Sequence, residues 1–232
     1  GLMRQMLPSF RSRPGQIEFA CAIERALTQS RDLVIEAETG IGKSLGYLVP
    51  VLLSNKRVLI STYTKLLQDQ IFYEDLEIAL RVLGSSKKVA VLKGRSNYLC
   101  LYKFSQLFES PSKTLSLVML AEVDEVKAWS MRTRTGDLSE LEVLSSDLTP
   151  LITATVDECQ KTRCPRFDQC ALYAARKQAD VADVMVVNHQ LLMSRYVNPS
   201  DDLVDLIDKM DVQLIDEADQ LLRLARDAKQ TV

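Results

Sequence analysis

The sequence predicts an α/β protein built on a parallel sheet that helices cover on both faces. Three observations predict this fold: a glycine-bearing loop motif near the N-terminus, an alternation of short apolar strands with helical segments, and an acidic tetrapeptide directly after the last strand. The composition, with 47% hydrophobic and 26% charged residues in a chain of 232, is typical of an ordinary globular protein that buries a substantial core.

The first predicted element is an amphipathic helix that follows the turn RPGQ at 13–16. Its apolar face is predicted to consist of Ile17, Ala20, Ile23 and Leu27. Cys21 lies in the same helix and is predicted to be a small buried residue. Gln16 could present its side-chain amide to an adenine edge, because an amide offers both a donor and an acceptor. A capped surface turn is the alternative.

The strongest motif follows at residues 33–44, LVIEAETGIGKS, where a run of strand character leads into a turn and then a helix. Gly40 and Gly42 let the backbone curl so that several N–H groups point at one phosphate. Lys43 can reach the β- and γ-phosphates of a nucleoside triphosphate, and the hydroxyl of Ser44 can coordinate Mg²⁺. The strict motif has one more glycine where this chain has alanine, so a plain glycine-rich turn is the alternative.

Strands and helices alternate after this loop. Helices are predicted at 45–53 and 65–76, and strands at 56–62, 88–92, 184–189 and 212–215. Pro50 is expected to bend or end the first of these helices. Thr62 and Thr64 lie where a strand gives way to a helix, at the edge of an open α/β sheet where ligands bind. Their hydroxyls could contact a sugar-phosphate backbone or cap the helix.

The alternation breaks over residues 95–181, which we interpret as a mostly helical insertion between residues 1–94 and 182–232 of one α/β domain. A helix is predicted over 115–131 within it. The insertion contains Cys100 and, with the spacing C-x4-C-x5-C, Cys159, Cys164 and Cys170. Four thiolates suit zinc or an iron–sulfur cluster. Because the short C-x2-C pairs of structural zinc sites are absent, a [4Fe–4S] cluster is favoured over zinc and over unligated core cysteines.

Basic and aromatic residues surround the last three cysteines. They are Lys161, Arg163, Arg166, Arg176 and Lys177, interleaved with Phe167 and Tyr173. Such a stretch can follow a phosphate backbone and stack bases, although a solvated surface is an equal alternative. The net charge of −2 indicates that any nucleic-acid binding is local.

Two carboxylates follow the last predicted strand. Asp216 can hold the water shell of Mg²⁺, and Glu217 can orient and deprotonate the water that attacks a γ-phosphate. With Lys43 they are the candidate catalytic residues, while acidic residues that only face a helix dipole are the alternative. The only histidine, His189, follows a strand and is either a structural residue or a polar relay near this edge.

No apolar run approaches the roughly 18 residues that suggest a membrane-spanning helix, and no signal sequence is recognisable at the N-terminus. We therefore expect a cytoplasmic protein without a membrane partner. Residues 1 and 2 precede Met3 and are excluded from the fold prediction.

Together these motifs resemble the superfamily 2 iron–sulfur helicases of the XPD/DinG family, and most of all its bacterial DinG/YoaA branch. The resemblance covers nearly the whole chain. It rests on RPGQ at 13–16, EAETGIGKS at 36–44, ST at 61–62, LQDQ at 67–70, KGRSNYLC at 93–100, VNH at 187–189 and LIDEA at 214–218.

The resemblance implies a RecA-like P-loop domain interrupted by a cluster insertion, with ATP, Mg²⁺ and a [4Fe–4S] cluster as cofactors. It implies 5′ to 3′ unwinding of DNA, bound as a single strand or a fork, in repair or replication with a protein partner. The nucleotide-binding residues would be Arg13, Gln16, Thr39, Gly40, Gly42, Lys43, Ser44 and Asp216, with Ser44 and Asp216 on Mg²⁺. Asp219 stands where the family usually has His, at a position that couples nucleotide state to motion.

Helicases of this family continue into an arch domain and a second RecA-like domain that supplies arginine fingers. We expect this chain to lack both and therefore not to unwind DNA alone. The alternative function is a metal-dependent module that binds nucleic acid or a protein partner, with the nucleotide site as a switch.

Overall fold

The computed structural model describes residues 11, 13–38, 40–109, 116–197 and 202–230. Thr39 lies outside the described residues. The chain divides into two compact units, one formed by residues up to Leu92 together with those from Ala179 onward, and the other by Lys93–Gln178. The boundaries predicted from the sequence, after residues 94 and 181, differ from these by a few residues. The assignment of separate roles to the two units stays a prediction.

The first unit contains a parallel sheet. Its strands, within the described ranges, are β1 (Val58–Thr62), β2 (Val89–Val91), β3 (Val184–Asn188) and β4 (Val212–Ile215). They lie in the order β2-β3-β1-β4 and pair in parallel, with Val58 beside Val184 on one side and Val212 on the other. Every residue of β1 and β3 is buried, as expected for central strands covered on both faces. The predicted α/β fold is confirmed.

Helices account for most of the remaining described residues. They are α1 (Pro14–Gln29), α2 (Lys43–Leu53), α3 (Lys65–Gln70), α4 (Leu76–Leu83), α5 (Leu101–Glu109), α6 (Leu117–Ser130), α7 (Thr149–Ile152), α8 (Ala171–Asp180), α9 (His189–Val197), α10 (Asp202–Asp208) and α11 (Ala218–Gln230). A π-helical turn, Ile71–Asp75, joins α3 to α4. Where the structure describes the chain, none of its helices combines the length and the apolar character needed to cross a membrane.

The buried face of α1 differs from the predicted one. Phe19 belongs to it together with Ile23 and Leu27, whereas Ile17 is 53% exposed and Cys21 is exposed. The predictions for Ile17 and Cys21 are therefore wrong, whereas Ala20 is half-buried. The physical reason is that the Phe19 ring packs over Gly46 of α2, where an added Cβ would lie only 2.9 Å from it. Burying this large ring favours a different face of the helix from the one with the smaller side chains.

Helix α2 begins at Lys43 and continues through Pro50 to Leu53. The alternative that Pro50 ends the helix is therefore wrong, because three further residues are helical, while a bend at Pro50 stays a prediction. The missing N–H of proline costs a hydrogen bond. Pro50, Val51 and Leu52 are all buried, and this burial offsets the loss.

The strand predicted before the loop motif does not form. Residues 31–38 have no regular secondary structure, and the side chain of Val34 is 100% exposed. A strand needs a neighbour to satisfy its backbone groups. In the described part of the chain β4 pairs only with β1, and no strand pairs with residues 31–38. Strand propensity alone does not order an isolated segment.

The second unit is mostly helical and has a hydrophobic core of its own. This core consists of Leu99, Phe104, Val123, Val126, Trp129, Leu138, Leu148 and Ile152. The hydroxyl of Ser116 caps α6 by accepting a hydrogen bond from the N–H of Met119 at 3.2 Å. The indole of Trp129 at the other end of α6 donates to the carboxylate of Glu140 at 2.8 Å.

A buried ion pair lies at the start of the second unit. The Lys93 ammonium is 2.6 Å from the Asp137 carboxylate, and the two side chains are only 1% and 7% exposed. The same ammonium donates to the hydroxyl of Ser139 at 3.0 Å, and the backbone N–H of Lys93 donates to the hydroxyl of Tyr98. The pair therefore ties the segment that leads to Cys100 to the turn around Asp137.

Replacing Lys93 by methionine is expected to lower the free energy of unfolding by about 3 to 5 kcal/mol, because Asp137 would be left buried without its counter-charge. Urea unfolding followed by the fluorescence of Trp129, the only tryptophan, measures this loss. Lys103→Met removes the more exposed pair with Glu158 and should lower the free energy of unfolding far less. Equal losses for the two variants would contradict the argument.

Candidate nucleotide and metal sites

The loop motif ends at the N-terminus of α2. Gly40 and Gly42 have φ angles of +80° and +84°, in the left-handed region that favours glycine. Gly42 directly precedes the helix, so the first N–H groups of α2 can face a bound anion. The ammonium of Lys43 folds back to the carbonyl of Ala37 at 3.3 Å. The local geometry is that of an anion site at a helix start.

Gln16 and Arg13 lie beside this loop. The Gln16 amide donates to the carbonyl of Gly42 at 2.9 Å, and a Cβ on Gly42 would come within 2.3 Å of the amide nitrogen. A Cβ on Gly40 would lie 3.9 Å from the Arg13 guanidinium. The structure therefore gives Gln16 a contact with the loop backbone that the sequence did not predict. A contact of Gln16 with adenine stays a prediction.

The acidic box, residues 216–219, begins where β4 ends. The backbone N–H of Asp216 donates to the carbonyl of Ser61 at 2.9 Å, which fixes the box beside the end of β1. Burial raises the pKa of Glu217, and the carboxylates of Asp216 and Asp219 raise it further, while Lys43 lowers it. A raised pKa brings a carboxylate closer to the range suited to a general base. The influence of Lys43 shows that the loop lies close to the box.

The pKa of Tyr47, a residue of α2, also depends on both the loop and the acidic box. Burial raises its pKa well above the usual range, and Asp216 and Asp75 contribute in the same direction, whereas Ser44 lowers it. The start of α2 and the acidic box are therefore neighbours, although most of the chain separates them in sequence. The sequence analysis missed Tyr47 and Asp75. The available signal was the spacing of Tyr47, which is three residues after Ser44 and so on the same helix face.

The two threonines at the end of β1 differ in their surroundings. Thr62 is buried in the sheet. The hydroxyl of Thr64 accepts a hydrogen bond from the N–H of Leu67 at 3.1 Å and caps α3. Of the two roles predicted for Thr64, helix capping is the one that the structure shows.

The four cysteines of the second unit line one cavity. Cys100, Cys159, Cys164 and Cys170 are partly exposed, and the cavity has a volume of about 280 Å³. Burial raises the pKa of the Cys100 thiol, which favours its protonated form until a metal binds. The described residues contain no group of three or more Cys, His, Asp or Glu side chains arranged to hold a metal ion. Four thiols that line one cavity are a donor set that suits an iron–sulfur cluster or zinc, and which of the two binds stays a prediction.

The walls of this cavity are aromatic and charged. They include Tyr102, Phe167 and Tyr173, together with Lys103 and Glu158. Lys103 donates to Glu158 at 2.8 Å, and this hydrogen bond lowers the pKa of Glu158 to about 2. Glu158 therefore stays ionised at neutral pH and holds the lysine at the rim of the cavity.

One of the basic residues predicted to follow a phosphate backbone is not on the surface. Arg176 is buried, with its guanidinium 5.7 Å from the centre of the Tyr173 ring. It stabilises the aromatic pair formed by Tyr173 and Phe167, whose rings lie 4.8 Å apart. The exposed members of the predicted set are Arg163, Arg166 and Lys177.

The parallel sheet, the glycine loop at a helix start and the acidic box beyond a neighbouring strand define a RecA-like α/β domain. Residues 19–162 match the model of the DEAD/DEAH box helicases, and the chain belongs to this family. The matched range contains the loop motif but not the acidic box.

Two of the relatives that the chain resembles are bacterial helicases with the same name, YoaA. The chain is 39% identical over 227 residues to the ATP-dependent DNA helicase YoaA of Haemophilus influenzae and to that of Escherichia coli, in each case over 97% of this chain. It is 32% identical over 197 residues, or 83% of its length, to the 3′-5′ exonuclease DinG of Bacillus subtilis. The resemblance to the DinG/YoaA branch is confirmed. The chain spans 35% and 36% of the two YoaA proteins and 21% of that DinG protein.

Proposed function

We propose that this chain is the first motor domain, with a cluster-binding insertion, of an ATP-dependent helicase that unwinds DNA 5′ to 3′. The observation that carries the proposal is one unit that contains both a glycine loop at the start of α2, with Lys43 and Ser44, and an acidic box that a hydrogen bond from Asp216 fixes beside the end of β1. The names of the YoaA relatives support DNA as the substrate. The polarity rests on the resemblance to the iron–sulfur helicases.

Each residue of the loop and the box has a role in this proposal. The N–H groups at the start of α2 and the ammonium of Lys43 bind the phosphates of ATP. The hydroxyl of Ser44 and the carboxylate of Asp216 would hold Mg²⁺, which when bound would neutralise phosphate charge. Glu217 orients the attacking water and accepts its proton, a role that the raised pKa of its carboxyl favours.

DNA, as a single strand or a fork, would bind at the carboxyl edge of the sheet in the first unit. Exposed basic residues of the second unit, such as Arg163 and Arg166, are separate candidates for phosphate contacts. A second motor domain, outside this chain, would supply the positive charge that completes the ATP site. The short coverage of the relatives supports this two-domain arrangement. A replication or repair protein is the proposed partner.

The test is strand separation and DNA-stimulated ATP hydrolysis by the complete protein on duplexes with either a 5′ or a 3′ single-stranded tail. We expect ATP-dependent unwinding of the 5′-tailed duplex only. Unwinding of the 3′-tailed duplex alone would contradict the polarity. DNA binding without any ATP turnover would favour the alternative of a binding module with a nucleotide switch.

We further propose that Cys100, Cys159, Cys164 and Cys170 hold a [4Fe–4S] cluster. Their shared cavity and the soft, all-thiol donor set support this proposal. The cluster would join the residue just before α5 to the three cysteines before α8. It would thereby constrain the irregular segment that contains them.

The cluster proposal predicts that protein purified without oxygen is brown, with a broad absorbance in the blue and about four irons and four sulfides per chain. Cys164→Ser should lose this absorbance, because one corner of the cluster loses its thiolate. Cys21→Ser is the matched control and should keep it, since Cys21 is exposed on α1 of the first unit. A colourless protein with one zinc per chain would refute the proposal.

A further inference from the structure

We propose that His189 is a positioning residue for Glu217: its imidazole bridges the hydroxyl of Ser61 and the main-chain carbonyl of Glu217. In this way it holds the acidic box in the conformation from which Glu217 acts. The inference rests on the proposed function and adds to it a residue that touches neither nucleotide nor metal.

The two ring nitrogens of His189 contact different elements of the fold. His189 follows β3, begins α9 and is fully buried. Its Nδ1 lies 2.7 Å from Oγ of Ser61, and its Nε2 lies 3.4 Å from the carbonyl oxygen of Glu217. One ring therefore connects three neighbouring strands, because Ser61 belongs to β1 and Glu217 follows β4.

The partners determine which nitrogen carries the proton. A carbonyl oxygen only accepts hydrogen bonds, so Nε2 of His189 must donate to Glu217. Nδ1 then accepts, and the hydroxyl of Ser61 donates to it. Burial lowers the pKa of His189, which keeps the ring in this neutral form. A serine hydroxyl thus selects the tautomer that can hold the acidic box.

The acidic box needs such a contact because its backbone is strained. Glu217 has a φ of +54°, a left-handed conformation that is unfavourable for a non-glycine residue. Local hydrogen bonds support it, from its own N–H to Asp216 and from the N–H of Gln220 to its carbonyl. His189 adds a contact from a different element. A strained residue at a candidate catalytic position, held from outside its own segment, is the arrangement expected of a pre-organised base.

The bridge also links the base to the end of β1, where DNA binding is proposed. Ser61 directly precedes Thr62, and the N–H of Tyr63 lowers the pKa of the Glu217 carboxyl. The position of the base is therefore set by β1 as well as by β4. A histidine that only filled the core would leave the rate of hydrolysis unchanged once folding is preserved.

The test compares two polar replacements of His189 in the complete protein. Glutamine can place an amide N–H near the position of Nε2 and donate to Glu217, whereas asparagine can meet Ser61 but is too short to reach Glu217. We expect His189→Asn to lower kcat for ATP hydrolysis about 10- to 100-fold with the KM for MgATP unchanged, because the base is misplaced but the phosphates are still bound. His189→Gln should retain most of the wild-type kcat.

Further measurements separate positioning from stability and from failure of the proposed function. In a Glu217→Gln background, His189→Asn should cause no additional loss, since it acts through Glu217. Equal losses of kcat and of melting temperature in both His189 variants, or no loss in either, would overturn the inference. If His189→Asn does not fold, Ser61→Ala removes one side of the bridge and should lower kcat at constant KM; an unchanged kcat would overturn it. A wild-type protein without ATP turnover would instead refute the proposed function, and the inference with it.

Discussion

Substituting Lys43 by alanine is expected to abolish ATP turnover by the complete protein while binding of single-stranded DNA stays largely intact. Lys43 is the first residue of α2, where its ammonium can reach the phosphates. Removing one such charge from a phosphoryl-transfer site is expected to lower the rate by about 10³-fold or more. Within the protein the substitution removes the hydrogen bond from the Lys43 ammonium to the carbonyl of Ala37, so the fold should be little affected.

The measurements are steady-state ATPase activity and the fluorescence anisotropy of a labelled DNA strand. Lys88→Ala is the matched control, because Lys88 is an exposed lysine just before β2, at the amino end of the sheet. It should leave both measurements unchanged. Undiminished turnover in Lys43→Ala would show that the loop is not the catalytic site.

The 232-residue chain alone is expected to hydrolyse ATP about 10³- to 10⁵-fold more slowly than the complete protein and not to unwind DNA. Binding of ATP needs only the loop, Mg²⁺ and Asp216. The transition state needs an additional positive charge on the γ-phosphate, and an arginine finger in related motors contributes about 4 to 7 kcal/mol. Among the described residues beyond Asp219, Arg223 and Arg226 are exposed on α11, and no motif assigns them to this role.

Steady-state ATPase of this chain, with and without single-stranded DNA and beside the complete protein, tests the two-domain argument. Binding of a fluorescent ATP analogue by the chain alone should be retained, which would show that its loop is intact. DNA-stimulated turnover comparable to that of the complete protein would contradict the argument. It would point to self-association that supplies the finger in trans.

The strands could be predicted because each is a short, continuous run of apolar and β-branched residues between polar segments. The bounds of β4, Val212–Ile215, were predicted without error. The same signal failed at residues 33–35, where Val34 is fully exposed. Pairing between strands decides whether such a run becomes a strand, and a local pattern contains no information about the neighbour.

In the candidate site, too, local motifs could be predicted and contacts between distant segments could not. The loop and the acidic box could be found because their residues are adjacent in sequence. The contacts of Gln16 with Gly42 and of His189 with Ser61 could not, because they join segments that meet only after folding. The buried face of α1 depended likewise on Gly46, which makes room for the Phe19 ring.

The unpaired edge of β4 affects how the isolated chain is expected to behave in solution. In the part that the structure describes, β4 pairs on one side only, and the apolar residues 33–35 are exposed. An open edge of this kind is a template for strand addition by another copy, and exposed apolar residues also favour association. We therefore expect concentrated solutions of the isolated chain to aggregate. A longer version of the chain whose added segment pairs with the free edge of β4 should be more soluble, so solubility can be used to test whether a segment completes the sheet.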